Sequence, residues 1–311
     1  MDAPILTLPG MKRIRIGNTP ASWGVLEFSL EGKTDPYSKV LDEMQEAGYE
    51  GTELGDWGFM PTDAASLKAA LQARRLALHS TFVPISFKDR EKHAEGKERA
   101  LRAARLLAAV GGSEPIIVLA DENGKDPVRT QNAGRIHPDQ GLSDTQWQIF
   151  AEGVEQTAEA VRRETGLFCV FHHHCAGYVE TPEEIQRLLE LTDPKLLGLC
   201  FDTGHYRFGG GDPLEGLRKY AERIRLFHFK DYHTEIGEQA AKEEWDYFTA
   251  VRNGVFCELG KGEIDFRAIV AELERIGYQG WGVVEQDVLP GMGSPKESAL
   301  RNRAFLREIG L

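Results

Sequence analysis

LFCVFHHHCAGYVETPEEIQRLLEL, residues 167–191, carries one complete structural unit of this chain. Positions 167–171 form an unbroken apolar run of the kind a strand covered on both faces needs. Three histidines follow it. Thr181 then stands as a helix N-cap, with Pro182 at the first helical position and Glu184 in capping-box spacing. The stretch therefore reads as strand, loop and helix, with imidazoles at the strand's exit.

The same unit recurs on either side. Apolar runs bounded by turn residues lie at 14–16, 51–54, 76–78, 116–119, 197–201, 224–229 and 281–284. Helical periodicity fills the intervals. In 35–49, Tyr37, Val40, Leu41, Met44 and Ala47 keep one face apolar and Gly48 stops the helix. From Ser143, with Gln146 closing a capping box, Trp147, Phe150, Val154 and Val161 line an inner face, and 295–311 forms the last helix. Such alternation, with no break in composition, predicts an α/β fold: a single-domain (β/α)₈ TIM barrel over residues 1–311, ahead of a doubly wound open sheet. Two segments, at about 121–143 and 232–264, are long for connections on the face where strands end and read as lids or subunit contacts.

The composition, 41% hydrophobic and 28% charged, is that of an ordinary globular protein and argues against disorder and coiled coil. A net charge of -12, without a basic stripe, argues against a nucleic-acid partner. Cys169, Cys175, Cys200 and Cys257 form no CxxC pair, which suits a reducing cytoplasm. The first residues, acidic at Asp2, do not read as a signal peptide, and no run is long enough to span a membrane. A homo-oligomer is the default expectation for a globular chain of this kind.

In a barrel every strand delivers its last residues to one rim, where catalytic groups sit. The runs end in Glu53, in His79, in Asp121 and Glu122, in His172 and His174, in Asp202 and His205, in His228, Lys230 and Asp231, and in Glu285 and Asp287. A single His or Asp at a strand end usually caps a loop. An acid or imidazole from each of four neighbouring strands is costly to bury unless a cation or a full hydrogen-bond network satisfies them. Mixed nitrogen and oxygen donors suit a divalent ion, Mn²⁺ or Co²⁺ foremost, with Zn²⁺, Fe²⁺ and Mg²⁺ as alternatives. Alternation puts His172 and His174 on one side and leaves His173 to pack on the other. Trp23, Trp57 and Phe82, near other strand ends, read either as pocket walls or as core.

DTGH at 202–205, HFKD at 228–231, LGKGEIDF at 259–266 and VVEQD at 283–287, with GNTPASWG at 17–24, resemble the xylose-isomerase-like TIM-barrel superfamily of sugar isomerases, epimerases and endonuclease IV. Within it the chain is similar to the inosose dehydratases of myo-inositol catabolism. The resemblance implies a divalent metal held at the ends of strands five to eight, with Asp202, His228 and Glu285 at three of the ligand positions and His172 where the epimerases carry glutamate. It leaves open whether His172 or His174 is the fifth-strand ligand. It also implies that His205 faces substrate, and Glu53, His79, Trp23 and Asp231 are further candidates for substrate contact.

The departure at His172 removes half of the symmetric glutamate pair through which epimerases exchange a proton. A histidine opposite Glu285 instead makes an asymmetric acid–base pair, suited to removing a proton α to a ketone and protonating a departing β-hydroxyl. The expected function is metal-dependent dehydration of 2-keto-myo-inositol. The metal acts as Lewis acid on the ketone, His172, His174 and Glu285 handle protons, and Lys230 steadies the developing oxyanion. The glycine clusters at 207–216 and 258–266 match no Walker loop or dinucleotide fingerprint, so an unphosphorylated polyol ketone or sugar is expected. The alternatives are a ketose isomerase or epimerase and, disfavoured by charge, an endonuclease IV-like enzyme.

Overall fold

The computed structural model describes residues 14–25, 35–112, 114–287 and 293–311. The reading of the N-terminus around Asp2 lies outside them. Eight parallel strands close a barrel: β1 Arg15–Asn18, β2 Gly51–Glu53, β3 Ala77–Pro84, β4 Ile116–Ala120, β5 Phe168–His172, β6 Leu197–Asp202, β7 Ile224–Phe229 and β8 Trp281–Val284. They neighbour one another in sequence order, and β8 returns to β1 with Arg15 opposite Trp281 and Asn18 opposite Val284. The outer layer holds helices α1 Tyr37–Ala47, α2 Ala64–Gln72, α3 His93–Val110, α5 Asp144–Thr165, α6 Pro182–Leu191, α8 Pro213–Tyr220, α11 Phe266–Arg275 and α12 Pro295–Glu308. Four shorter helices, α4 Pro127–Gln131, α7 Thr203–Phe208, α9 Thr234–Lys242 and α10 Tyr247–Arg252, lie beyond strand ends. This is the single-domain (β/α)₈ architecture that the alternation predicts.

Local chemistry sets the helix starts. Ser143 and Thr181 both close capping boxes, with Gln146 and Glu184 reaching back to the cap amides. Gly48 ends α1 with φ +87°, a conformation that costs a residue without Cβ little.

The two faces of each strand do different work. Phe171, Leu199, Phe201, Phe227 and Phe229 are fully buried in the large core shared with the helices. Val118, Val170, Cys200, Leu226, Trp281 and Val283 make a separate apolar cluster in the barrel's interior. Side chains two positions further along a strand point the same way. His172, Asp202, His228 and Glu285 each follow an interior residue by two, so the pleat stacks all four above this apolar plug.

The sequence run 76–78 understates β3. The strand continues to Pro84, paired with β4 from Ser80 onward, so its polar residues are interior rather than terminal. The long segments at 121–143 and 232–264 fold into α4, α9, α10 and a short antiparallel ladder, Asp231–Tyr232 with Phe256–Cys257. They clasp each other: Gln131 Nε2 donates to the Glu244 carbonyl at 2.8 Å and Arg135 Nη1 to that of Trp245 at 2.9 Å. Among the described residues no helix is long and apolar enough to cross a membrane, and all four cysteines are free.

Candidate metal centre

One donor atom each from His172, Asp202, His228 and Glu285 falls within 4.8 Å of the others. Asp202 Oδ2 lies 3.8 Å from His172 Nε2 and 3.6 Å from His228 Nδ1, and His228 Nδ1 lies 2.8 Å from Glu285 Oε2. Donors around one ion at ~2.1 Å stand roughly 3–4 Å apart, which is this spacing. Both ring nitrogens of His172, Nε2 of His228 and Oδ2 of Asp202 are buried without a hydrogen-bond partner, and Nδ1 of His228 has only its close contact with Glu285. Orphaned polar atoms gathered at one point are costly unless something satisfies them together, and a cation does so. The residues therefore fit a divalent ion. Cys200 also approaches His172 and His228, but burial raises its thiol to about 11, away from the thiolate that binds metal.

Three of the four groups sit in the form that binds a metal, whereas His228 is raised against burial by Cys200, Glu285 and Asp202, so an ion there would displace its proton. Burial, ahead of all other causes, lowers His172, which leaves it the neutral ligand form. Burial works to raise Asp202, yet His172 and His228 beside it hold the carboxyl below its ordinary value. Glu285 is likewise lowered against burial, chiefly by Lys230 and His228. Lys230 Nζ donates to Glu285 Oε1 at 2.9 Å and to Asp287 Oδ2 at 3.1 Å, and the two carboxylates keep it protonated although it is buried.

A cavity open to solvent lies beside these groups, with Glu53, Phe82, His172, His174, Glu285 and Asp287 in its wall. His174 Nδ1 lies 2.6 Å from the Cys175 carbonyl and must donate there, since a carbonyl cannot. That leaves Nε2 an acceptor, and His174 sits well below its ordinary value, first through desolvation and then through His172. Glu53 takes hydrogen bonds from Thr19 Oγ1 at 3.0 Å and Ser80 Oγ at 2.9 Å, while burial raises its carboxyl. His173 turns away, accepting the Asp202 amide at 3.1 Å and packing on Phe201 and Tyr206.

Four expected substrate contacts stand elsewhere. His79 lies inside the barrel against the Trp281 ring, centroids 4.9 Å apart, because β3 runs on past it. Trp23 points into the interface with α1, its Nε1 donating to Glu43 at 2.7 Å. Asp231 is a loop anchor that accepts from the amides of Tyr232, Gly260, Gly262 and Ile264 at 2.8–3.3 Å. Those bonds occupy the glycine amides of this loop and leave no phosphate seat there. His205 sits behind His174, ring centroids 3.9 Å apart, rather than in the cavity wall. Trp57 is outside the cavity under the Arg102 guanidinium, whereas Phe82 lines it, edge-on to His172.

Thr19, within the 17–24 motif, also lines the cavity, as do Asn123 and Tyr247, which no quoted motif marks. Asp287 stands at a strand end like its neighbours, and it both lines the cavity and accepts from Lys230.

The family described as a xylose isomerase-like TIM barrel matches residues 41–309. The chain is 37% identical over 298 residues to an inosose dehydratase of Geobacillus kaustophilus (strain HTA426), spanning 95% of this chain and 94% of that protein. It is 32% identical over 293 residues to one of Lacticaseibacillus casei, spanning 94% and 96%. Among solved structures it is similar to an L-ribulose 3-epimerase, with TM-score 0.70, 17% identity and 96% and 94% of the two chains covered. It is also similar to the probable 3-DHS dehydratase AsbF of Bacillus anthracis, with TM-score 0.68, 14% identity and 94% and 99% covered. At such identities these two structures speak for the fold alone.

Proposed function

Because this chain belongs to the xylose isomerase-like TIM barrel family, we propose that it is a divalent-metal-dependent hydro-lyase that removes water from a cyclic polyhydroxy ketone, 2-keto-myo-inositol. His172, Asp202, His228 and Glu285 would hold the ion, and Lewis acidity toward the ketone oxygen is the chemistry it supplies when bound.

The observation that carries the reading is the fifth-strand exit. With His172 in the ligand set, the neighbouring His174 presents an unprotonated Nε2 to the cavity, its tautomer fixed by the Cys175 carbonyl. We assign it the proton on the carbon α to the ketone. Glu53, three strands away and raised by burial, is the proton source for the departing hydroxyl, with Thr19 and Ser80 orienting its two oxygens. Lys230, locked between Glu285 and Asp287, holds positive charge beside the developing oxyanion. The dehydratase identity of the relatives supports the same reaction class.

Glu53 and Glu285 in one cavity also favour a second reading, a two-carboxylate epimerase. Mass spectrometry of 2-keto-myo-inositol incubated with Mn²⁺-loaded protein separates the two. Dehydration yields a product lighter by one water; epimerisation yields one of unchanged mass, and that result would displace the dehydratase reading.

A further inference from the structure

The two long segments beyond β4 and β7 each bring one unsatisfied polar side chain to the cavity. Asn123 is 7% exposed, and its Oδ1 has no hydrogen-bond partner. Tyr247, which opens α10, is 1% exposed, with its ring edge-on to His174 at 5.6 Å between centroids. Its hydroxyl makes no hydrogen bond among the described residues. Both residues line the cavity that holds His174 and Glu285. Buried polar atoms in native folds almost always have partners, so the unpartnered Oδ1 of Asn123, in a residue that shares the cavity wall with the Tyr247 phenol, calls for a ligand that supplies the bond.

Their placement is enforced by packing. Gly124, beside Asn123, has φ +72°, and a Cβ there would come 2.6 Å from the ring of Phe248, the residue after Tyr247. Its amide donates to the Ala176 carbonyl at 2.8 Å. The bonds from Gln131 and Arg135 to the carbonyls of Glu244 and Trp245 clasp the same two segments further out. Asn123 and Tyr247 are thus set relative to each other by contacts that do not involve the metal centre.

We propose that Asn123 and Tyr247 form a hydroxyl-reading subsite, which hydrogen-bonds ring hydroxyls of a polyol that are not engaged at the metal. The amide oxygen accepts from one hydroxyl, and the phenol donates to or accepts from another. This rests on the reading above that the substrate is a cyclic polyol ketone. A site built in this way selects against analogues lacking the hydroxyl, because the buried Oδ1 of Asn123 is then left unpaired.

The test uses myo-inositol, which has the ring hydroxyls but no ketone and so cannot be dehydrated by this route. Calorimetric titration into Mn²⁺-loaded wild type should show binding. Tyr247→Phe, which keeps the packed ring, and Asn123→Ala should each weaken it about three- to tenfold, a single hydrogen bond's worth, with metal content and melting temperature unchanged. On 2-keto-myo-inositol the same variants should lose kcat/KM, largely through KM. Wild-type binding of myo-inositol in both variants, or none by the wild type, overturns the subsite. If the variants lose myo-inositol while the wild type forms no dehydrated product, the subsite stands and the dehydratase reading falls.

Discussion

His174 and Asp121 show how a single buried group can be read from its partners. With Nδ1 committed to a backbone carbonyl, His174 has only Nε2 to offer, and it offers it as an acceptor. His174→Ala should lower kcat by about 10²–10⁴ while leaving metal content unchanged, as steady-state rates and elemental analysis will show. A loss of metal would instead make His174 the fifth-strand ligand. Asp121 is 7% exposed, accepts the Tyr178 amide at 2.9 Å and is raised by burial to about 7. An unfolded aspartate ionises near ~3.9, so the folded chain keeps a proton that the unfolded chain has released. The stability this confers is complete below about pH 4 and is lost as pH rises toward 7. Asp121→Asn still accepts the amide but has no proton to lose. Its gain in unfolding free energy over wild type should therefore be greater at pH 8 than at pH 4, by at most about 4 kcal/mol, in urea titrations at the two pH values.

At the scale of elements, the segment at 121–143 is held down by Arg129 on α4. This fully buried guanidinium forks onto both oxygens of Glu184 at 2.8 and 2.7 Å and donates to the Gly177 carbonyl at 2.8 Å. Arg129→Met leaves the buried Glu184 carboxylate with backbone amides but no cationic partner and should cost about 3–5 kcal/mol of unfolding free energy in denaturant titrations. A loss below 1 kcal/mol would mean that the fork does not anchor the segment. Glu184 also shows where sequence reading stops. Its capping-box role follows from Thr181 three residues earlier, because that bond is local. Its bond to Arg129, 55 residues away in sequence, follows only from how α4 lies over the barrel. Tyr247 and Asn123 were illegible for the same reason. His79 was misplaced because Ser80 and Thr81 interrupt the apolar run, whereas the folded strand continues through them by giving Ser80 a carboxylate partner in Glu53. The convergence of His172, Asp202, His228 and Glu285 was legible, since period-two alternation and strand ends need no knowledge of the loops.

For the molecule as a whole, closure of the barrel turns separate strand ends into one centre. Strands β5 to β8 are contiguous neighbours, so four residues spread over more than a hundred positions meet within 4.8 Å. Two segments from the same rim then enclose the cavity with side chains of their own. The central claim is that this centre binds one divalent ion on which dehydration depends. The most direct measurement is a titration of Mn²⁺ into metal-stripped protein with saturating 2-keto-myo-inositol, following the ultraviolet absorbance of the dione product. The account predicts no product without metal, a rate that climbs to a plateau at one ion per chain, and no response in Asp202→Ala. Turnover by the metal-free protein, or none at full occupancy, would contradict it.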